Sequence, residues 1–140
     1  MKKILHNFLS TAKQVRLRFE AKLAEAGGSV PIWLVLNTLQ DSEGMTQTQL
    51  AERIHIECPT LTRHLDRLEA SDLIERRNDP EDRRITRIYL TAKGCSLHSE
   101  LLAVAERFEA QLIENLTDVQ VAHLNQVFDQ IRINFDKSYH

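Results

Sequence analysis

Residues 79 to 90, DPEDRRITRIYL, bring carboxylates and arginines together at a predicted turn. Arginine forms charge-assisted hydrogen bonds with carboxylates and phosphates, and it is attracted to the negative potential of a narrow DNA minor groove. A carboxylate two positions before an arginine can hold the guanidinium in place, so we expect Asp82 to orient Arg84. Phosphate contacts are expected from the neighbouring arginines, Arg76, Arg77, Arg83 and Arg87.

A second group of candidate residues lies on the helix predicted just before this segment, PTLTRHLDRLEAS. At 100° per residue, Leu61, Leu65 and Leu68 cluster within about 60° and must face the core. On the opposite face, Arg63 can offer two donors to a guanine edge, and small hydroxyl side chains near the helix N-terminus allow a close approach to phosphate. The candidate DNA-contacting residues of this helix are Pro59, Thr60, Thr62, Arg63 and Arg67.

Capping residues and periodicity predict the elements that hold these groups. Thr46 and Gln49 form a capping-box pattern at the start of TQTQLAERI, and Pro59 suits the first turn of the next helix. Two β-prone runs, LIERRN and ITRIYL, follow and predict a β-hairpin. Helix, connector, helix and hairpin is the order of a winged helix-turn-helix, in which the second helix enters the major groove of DNA.

Amphipathic helices are predicted on both sides, at about residues 3–25 and 92–136. The second stretch holds two helices: a long one with apolar positions as far as Leu116, and a last one that opens with a second capping box at Thr117 and Gln120. Apolar residues recur along this last helix at alternating spacings of three and four, which is typical of a helix that packs against a partner. We interpret the apolar stripes as a homodimer interface, and burial within one chain is the alternative. The expected interface residues are Leu5, Phe8, Phe108, Leu112, Val121, Leu124, Phe128 and Ile131.

The composition fits these expectations. A chain of 140 residues suits one domain, here predicted over residues 1–140 with its winged part at about 31–91. The predicted fold class is mainly α with a small β-hairpin wing. A net charge of -2 argues against nucleic-acid binding by bulk charge alone. Neither a secretory leader nor an apolar run long enough for a membrane span is visible in the sequence, so we expect a cytoplasmic protein without membrane contact.

The segment TQTQLAERIHIECPTLTRHLDRLEASDLIERRNDPEDRRITRIYLTAKG resembles the MarR/SlyA family of bacterial transcription regulators. That family carries an Asp-x-Arg pair at the wing tip and then a strand ending in Leu-Thr, which here are Asp82-Arg83-Arg84 and Leu90-Thr91. The resemblance implies a homodimeric regulator, more often a repressor than an activator, that binds a pseudo-palindromic site in double-stranded DNA. It also implies modulation by a small aromatic or phenolic ligand, for which we assign no binding residues.

Other chemistries find less support. Cys58, at the start of the DNA-facing helix, is either an oxidation-sensitive thiol or a buried or capping one. Cys95 and His98 share a helical face, but two ligands do not complete a metal site, so we expect neither metal nor cofactor. The sequence shows no nucleophile motif or Gly-rich phosphate loop, and we expect no enzyme. The remaining rival is a winged-helix module that binds a protein, which an apolar outward face on the helix would favour.

Overall fold

The structure is a computed structural model that describes residues 3–138 and divides the chain into two compact units, with the boundary between Glu106 and Arg107. The first unit holds, in chain order, α1 (Ile4–Glu25), α2 (Val30–Asp41), β1 (Met45–Thr46), α3 (Gln47–Ile54), α4 (Cys58–Ala70), β2 (Ile74–Asn78), β3 (Thr86–Leu90) and the start of α5 (Ala92–Leu112). The second unit holds the end of α5 and α6 (Asp118–Ser138). The predicted fold class, mainly helical with a small β wing, is confirmed.

Side-chain caps set the starts of α3 and α6. Thr46 Oγ1 accepts the Gln49 backbone N–H at 3.2 Å while Gln49 Oε1 accepts the Thr46 N–H at 3.0 Å, so the predicted capping box is present. The same reciprocal pair joins Thr117 and Gln120 before α6. At the end of α3, His55 has a left-handed conformation with φ 56°, which stops the helix and turns the chain toward α4. Only three residues connect the end of α3 to the start of α4.

The sheet is larger than the predicted hairpin. It has three antiparallel strands in the order β1-β3-β2, with Met45 opposite Ile88 and Ile74 opposite Leu90. The prediction of a two-stranded hairpin therefore missed β1. A strand of two residues is too short to show an alternating pattern, and its residues, Met45 and Thr46, also carry the capping signal of α3.

The core of the first unit is built from aliphatic side chains of the helices, closed by the sheet. Leu61 and Leu65 of α4 are fully buried and Leu68 is 2% exposed, as the helical pattern predicted. The start of α5 lies so close to Leu73, the residue before β2, that a Cβ atom at Gly94 would come within 2.0 Å of the Leu73 carbonyl oxygen. Only glycine permits this approach.

The second unit begins inside α5, and one boundary in it differs from the prediction. The apolar spacing carried the long helix as far as Leu116, but α5 ends at Leu112. Asn115 has φ 67°, a left-handed conformation that asparagine adopts more readily than most residues, and it ends the helical run before α6. Within residues 3–138, no helix is both long enough and apolar enough to cross a membrane.

Candidate nucleic-acid interface

Helix α4 presents a polar, charged face to solvent. Its buried leucines fix the rotation of the helix, so that Pro59, Arg63 and Arg67 are exposed and Thr60 and Thr62 are half-buried. The guanidinium groups of Arg63 and Arg67 form no ion pair among residues 3–138. All five predicted residues therefore lie away from the buried leucines, and the face lacks the apolar character that would favour a protein-binding module.

A side chain that the sequence did not point to supports this face. The amide of Gln47, in the first turn of α3, donates a hydrogen bond to Thr62 Oγ1, and the Thr62 hydroxyl donates in turn to the Cys58 carbonyl oxygen at 2.9 Å. These bonds join α3 to the N-terminal half of α4 and fix the Thr62 rotamer. No local sequence pattern predicts the contact of Gln47 with Thr62, because the two residues are fifteen positions apart, so only the tertiary structure reveals it.

The wing consists of β2, β3 and the loop between them, and carboxylates of that loop hold it in place. The Asp82 carboxylate accepts three hydrogen bonds from Arg84, from the backbone N–H at 3.1 Å, from Nε at 3.1 Å and from Nη2 at 3.3 Å. The predicted pairing of Asp82 with Arg84 is confirmed, and these bonds lower the pKa of Asp82. The Arg84 side chain is still 89% exposed. Asp82 thus holds the guanidinium group of Arg84 in one orientation while the side chain stays exposed to solvent.

Arg87, predicted to contact DNA, is already bound within the protein. Its Nε donates to Asp79 Oδ2 at 2.8 Å and its Nη1 donates to the Gly44 carbonyl oxygen at 2.9 Å. Asp79 Oδ1 also accepts the Glu81 backbone N–H at 2.8 Å. The Arg87 hydrogen bond, followed by that of Glu81, lowers the pKa of Asp79. Arg87 thereby ties the base of the wing to the residue before β1, and its contact with DNA stays a prediction.

Of the remaining arginines of the wing, Arg76 and Arg77 form ion pairs in the described part of the chain and Arg83 does not. Arg77 pairs with Glu75 at 2.8 Å and lies over the Tyr89 ring at 4.7 Å, whereas Arg76 reaches out of the sheet to carboxylates of α4. Arg83, at the wing tip, is exposed and forms no ion pair within residues 3–138. The spacing of the arginines in the sequence does not separate these roles, because it does not show which carboxylate each side chain contacts.

The predicted dimer residues are placed on helix surfaces of each unit. In the first unit, Leu5 and Phe8 of α1 are 71% and 45% exposed. In the second, Leu112, Leu124 and Phe128 are exposed, and Phe108, Val121 and Ile131 are half-buried. Large apolar side chains that are exposed in a single chain are candidates for contact with a second one.

Both cysteines are free and exposed, so the buried-thiol alternative for Cys58 is wrong. Cys58 is the first residue of α4, and its carbonyl oxygen accepts the Thr62 hydroxyl. Among residues 3–138, no group of three or more His, Cys, Asp or Glu side chains is placed to hold a metal ion.

Comparison with known proteins finds a family that matches the segment containing these residues. Residues 29–86, which include α2 to α4 and most of the wing, match the MarR family. The matched segment is similar to a MarR-family domain. The MarR family is a class of DNA-binding transcription regulators rather than a class of enzymes.

Individual relatives agree with the family match. YsmB of Bacillus subtilis (strain 168), described as an uncharacterized HTH-type transcriptional regulator, is 30% identical over 92 residues, which is 66% of this chain; the match spans 63% of the length of YsmB. The structure of the transcriptional repressor CouR bound to a 23-mer DNA duplex has a TM-score of 0.85 and 28% identity, covering 93% of each chain. The structure of the transcriptional regulator SlyA, at 23% identity, shares the fold with a TM-score of 0.87 over 98% of this chain and 96% of its own.

The ion pair at the base of the wing predicts a specific pH dependence for the Asp79→Asn variant. In the folded protein the pKa of Asp79 lies below its ordinary value of 3.8. The charged carboxylate therefore contributes fully to the free energy of unfolding above pH 3.8, and this contribution is lost as the pH falls through the folded-state pKa. We expect the variant to have a lower urea midpoint than the wild type at pH 7, and the difference to shrink as the pH falls below about 4.

The matched control for this measurement is Glu81→Gln, which alters an exposed carboxylate in the same loop that forms no ion pair among the described residues. Its urea midpoint should follow the wild type at every pH. A gap between wild type and Asp79→Asn that is equally large at neutral and acid pH would show that the charge of Asp79 is not what holds the wing.

Proposed function

We propose that this protein is a homodimeric, sequence-specific regulator of transcription that binds double-stranded DNA and acts as a repressor. The observation that carries the proposal is the Asp82-ordered Arg84 at an exposed wing tip, in the same unit as a recognition helix whose outward face is polar. The match of residues 29–86 to the MarR family supports it, and so does the likeness to CouR, a transcriptional repressor bound to DNA.

In the proposed complex, α4 lies in the major groove. In the first turn of α4 the backbone N–H groups of Cys58 and Thr60 have no intrahelical acceptor, and Glu57, the N-cap residue, provides no side-chain cap. DNA phosphates would satisfy these donors beside Pro59 and Thr60. Arg63, one turn further along, has its whole guanidinium available for the O6 and N7 atoms of a guanine.

The wing would contact the adjacent minor groove. An arginine that enters a narrow groove gains electrostatic energy, but a flexible side chain loses conformational entropy when it is fixed there. Because Asp82 already holds Arg84 in one arrangement, part of that entropy is lost before DNA is bound. Arg83 is exposed beside it and would contact the phosphate backbone.

The exposed apolar surface supports pairing with a second copy. Ile4, Leu5, Leu9 and Leu17 of α1 are each more than half exposed, as are Val119 and Val127 of α6. Such a concentration of large apolar side chains on long helices is costly in water, and twofold pairing would bury it. A twofold dimer would also bring two α4 helices to the same face of DNA, so the operator should be a pseudo-palindrome.

Two parts of the proposal depend on the family likeness more than on geometry. A small aromatic or phenolic ligand would modulate DNA binding by changing the spacing of the two recognition helices, and its binding residues remain unassigned. A regulator that binds chromosomal DNA in bacteria works in the cytoplasm, and we propose that location for this protein.

Replacing Arg63 with Ala should weaken binding by roughly 1–3 kcal/mol at one base position of the operator and relax the preference there, because the two-donor contact is lost. Affinities measured for a set of duplexes, each with one substituted base pair, would reveal the position. Arg63→Lys is the matched control: it keeps the charge but loses the planar fork, so it should also relax the preference. If Arg63→Ala weakens every duplex equally, then Arg63 contacts phosphate and not a base.

Replacing Arg84 with Ala should weaken binding to all operators with A·T-rich flanks and lower the slope of log affinity against log salt by about one. Fluorescence anisotropy titrations at several salt concentrations would measure both. Arg132→Ala, which removes an exposed arginine paired with Asp129 on α6, is the control and should leave both quantities unchanged. An Arg84→Ala variant with wild-type affinity and slope would remove the wing from the interface.

Replacing Leu124 with Asp should convert the dimer to monomers, because it places a charge in the proposed apolar interface, where it would be desolvated without a partner. The side chain is 42% exposed in the single chain, so we expect the variant to keep its helical circular dichroism signal. Sedimentation should detect monomers, and DNA affinity should fall by at least about a hundredfold through lost bivalency. Asn125→Asp, at the next position, is the control; a dimeric Leu124→Asp variant would mean that α6 is not the interface.

A further inference from the structure

Arg76 is the residue that joins the wing to the recognition helix. It lies in the middle of β2, and its Nη2 donates to Asp66 Oδ1 at 2.7 Å and to Glu69 Oε1 at 2.9 Å. Its backbone N–H donates to the other Glu69 oxygen at 3.2 Å. One residue of the sheet is therefore bound at three points to two carboxylates of α4, three positions apart on the same side of the helix.

The burial of the cluster favours a fixed arrangement. The Arg76 side chain is 23% exposed, less than any other ion-paired arginine of the described chain, while Asp66 and Glu69 are 58% and 42% exposed. The hydrogen bond from Arg76 lowers the pKa of Glu69, and the pKa of Arg76 is raised in turn, first by Glu69. Both partners thus stay charged at neutral pH.

The position of the cluster connects it to the proposed readout. Asp66 follows Arg63 by three residues and lies on the same exposed strip of α4. β2, at the other end of the Arg76 link, leads directly into the loop that carries Arg84. A rotation of the wing relative to α4 would therefore move Arg84 relative to Arg63, and the hydrogen bonds of Arg76 oppose that rotation.

We propose that Arg76 is a positioning residue for DNA recognition: by binding Asp66 and Glu69 it fixes the wing against α4, so that Arg63 and Arg84 reach neighbouring grooves in register. This inference rests on the proposed function. It assigns Arg76 to DNA selectivity without contact with DNA, in place of the phosphate contact that the sequence suggested. A partly exposed ion-pair cluster adds little to stability, so its removal should affect selectivity more than folding.

The test compares operator DNA with a scrambled duplex of equal length, and measures the salt slope and the urea midpoint for each variant. Arg76→Gln should lower operator affinity by about tenfold, the size of one lost base contact, and scrambled-duplex affinity by far less. Arg76→Lys should show a similar loss, because lysine keeps the charge but its shorter side chain ends before the position of Nη2, the atom that donates both side-chain bonds. Arg77→Gln is the matched control, because it removes a charge from the same strand and leaves the link to α4 intact; its effect on the two duplexes should be equal.

The double variant Asp66→Asn with Glu69→Gln separates positioning from simple electrostatics. Removing two negative charges near DNA should, by charge alone, strengthen binding to both duplexes. If Arg76 is a positioning residue, the same variant breaks the link from the helix side and lowers the ratio of operator to scrambled affinity, as Arg76→Gln does.

Two results would overturn the proposal. Equal weakening of both duplexes by Arg76→Gln, with a salt slope lower by about one and stronger binding by the double variant, would make Arg76 a phosphate contact. A lower urea midpoint with an unchanged affinity ratio would make the cluster purely structural. A wild-type protein without preference for any duplex would instead contradict the proposed function itself, which keeps the two failures distinct.

Discussion

The burial of Leu61, Leu65 and Leu68 determines what the rest of α4 can do. A fully buried leucine contributes roughly 1.5–3 kcal/mol, whereas an exposed ion pair contributes about 0–1 kcal/mol. The apolar stripe therefore sets the rotation of the helix, and the charged residues take whatever direction remains. Arg63 and Arg67 face solvent because the leucines cannot, and the candidate DNA surface is the reverse side of the core.

The carboxylate that each arginine contacts determines its role, which the spacing of the arginines in the sequence does not show. Asp79 binds Arg87 to the base of the wing, and Asp66 with Glu69 binds Arg76 across to α4. Asp82 holds Arg84 without covering it. This division answers why a chain with a net charge of -2 carries so many arginines near its wing: some hold the framework, and the exposed ones are available to DNA. Specific recognition then depends on placement of a few charges more than on total charge.

Much of this architecture could be predicted from sequence because its signals are local. Capping boxes at Thr46 and Thr117 and the leucine spacing of α4 depend on residues three or four positions apart, which a single sequence displays directly. The short strand β1 and the end of α5 were missed because two residues have no periodicity and because apolar spacing ran on past Asn115. Gln47, Arg76 and Arg87 acquire their roles from partners 7 to 43 positions away, and no local pattern encodes those contacts.

In the proposed function, two copies of this chain bind one specific DNA sequence together. Enrichment of a random duplex pool on the purified protein at near-physiological salt tests it most directly. We expect an inverted repeat with half-sites about one helical turn apart, roughly 10 base pairs from centre to centre. A pool in which no sequence is enriched, with weak binding that disappears as salt is raised, would contradict sequence-specific recognition and favour a winged-helix module whose partner is a protein.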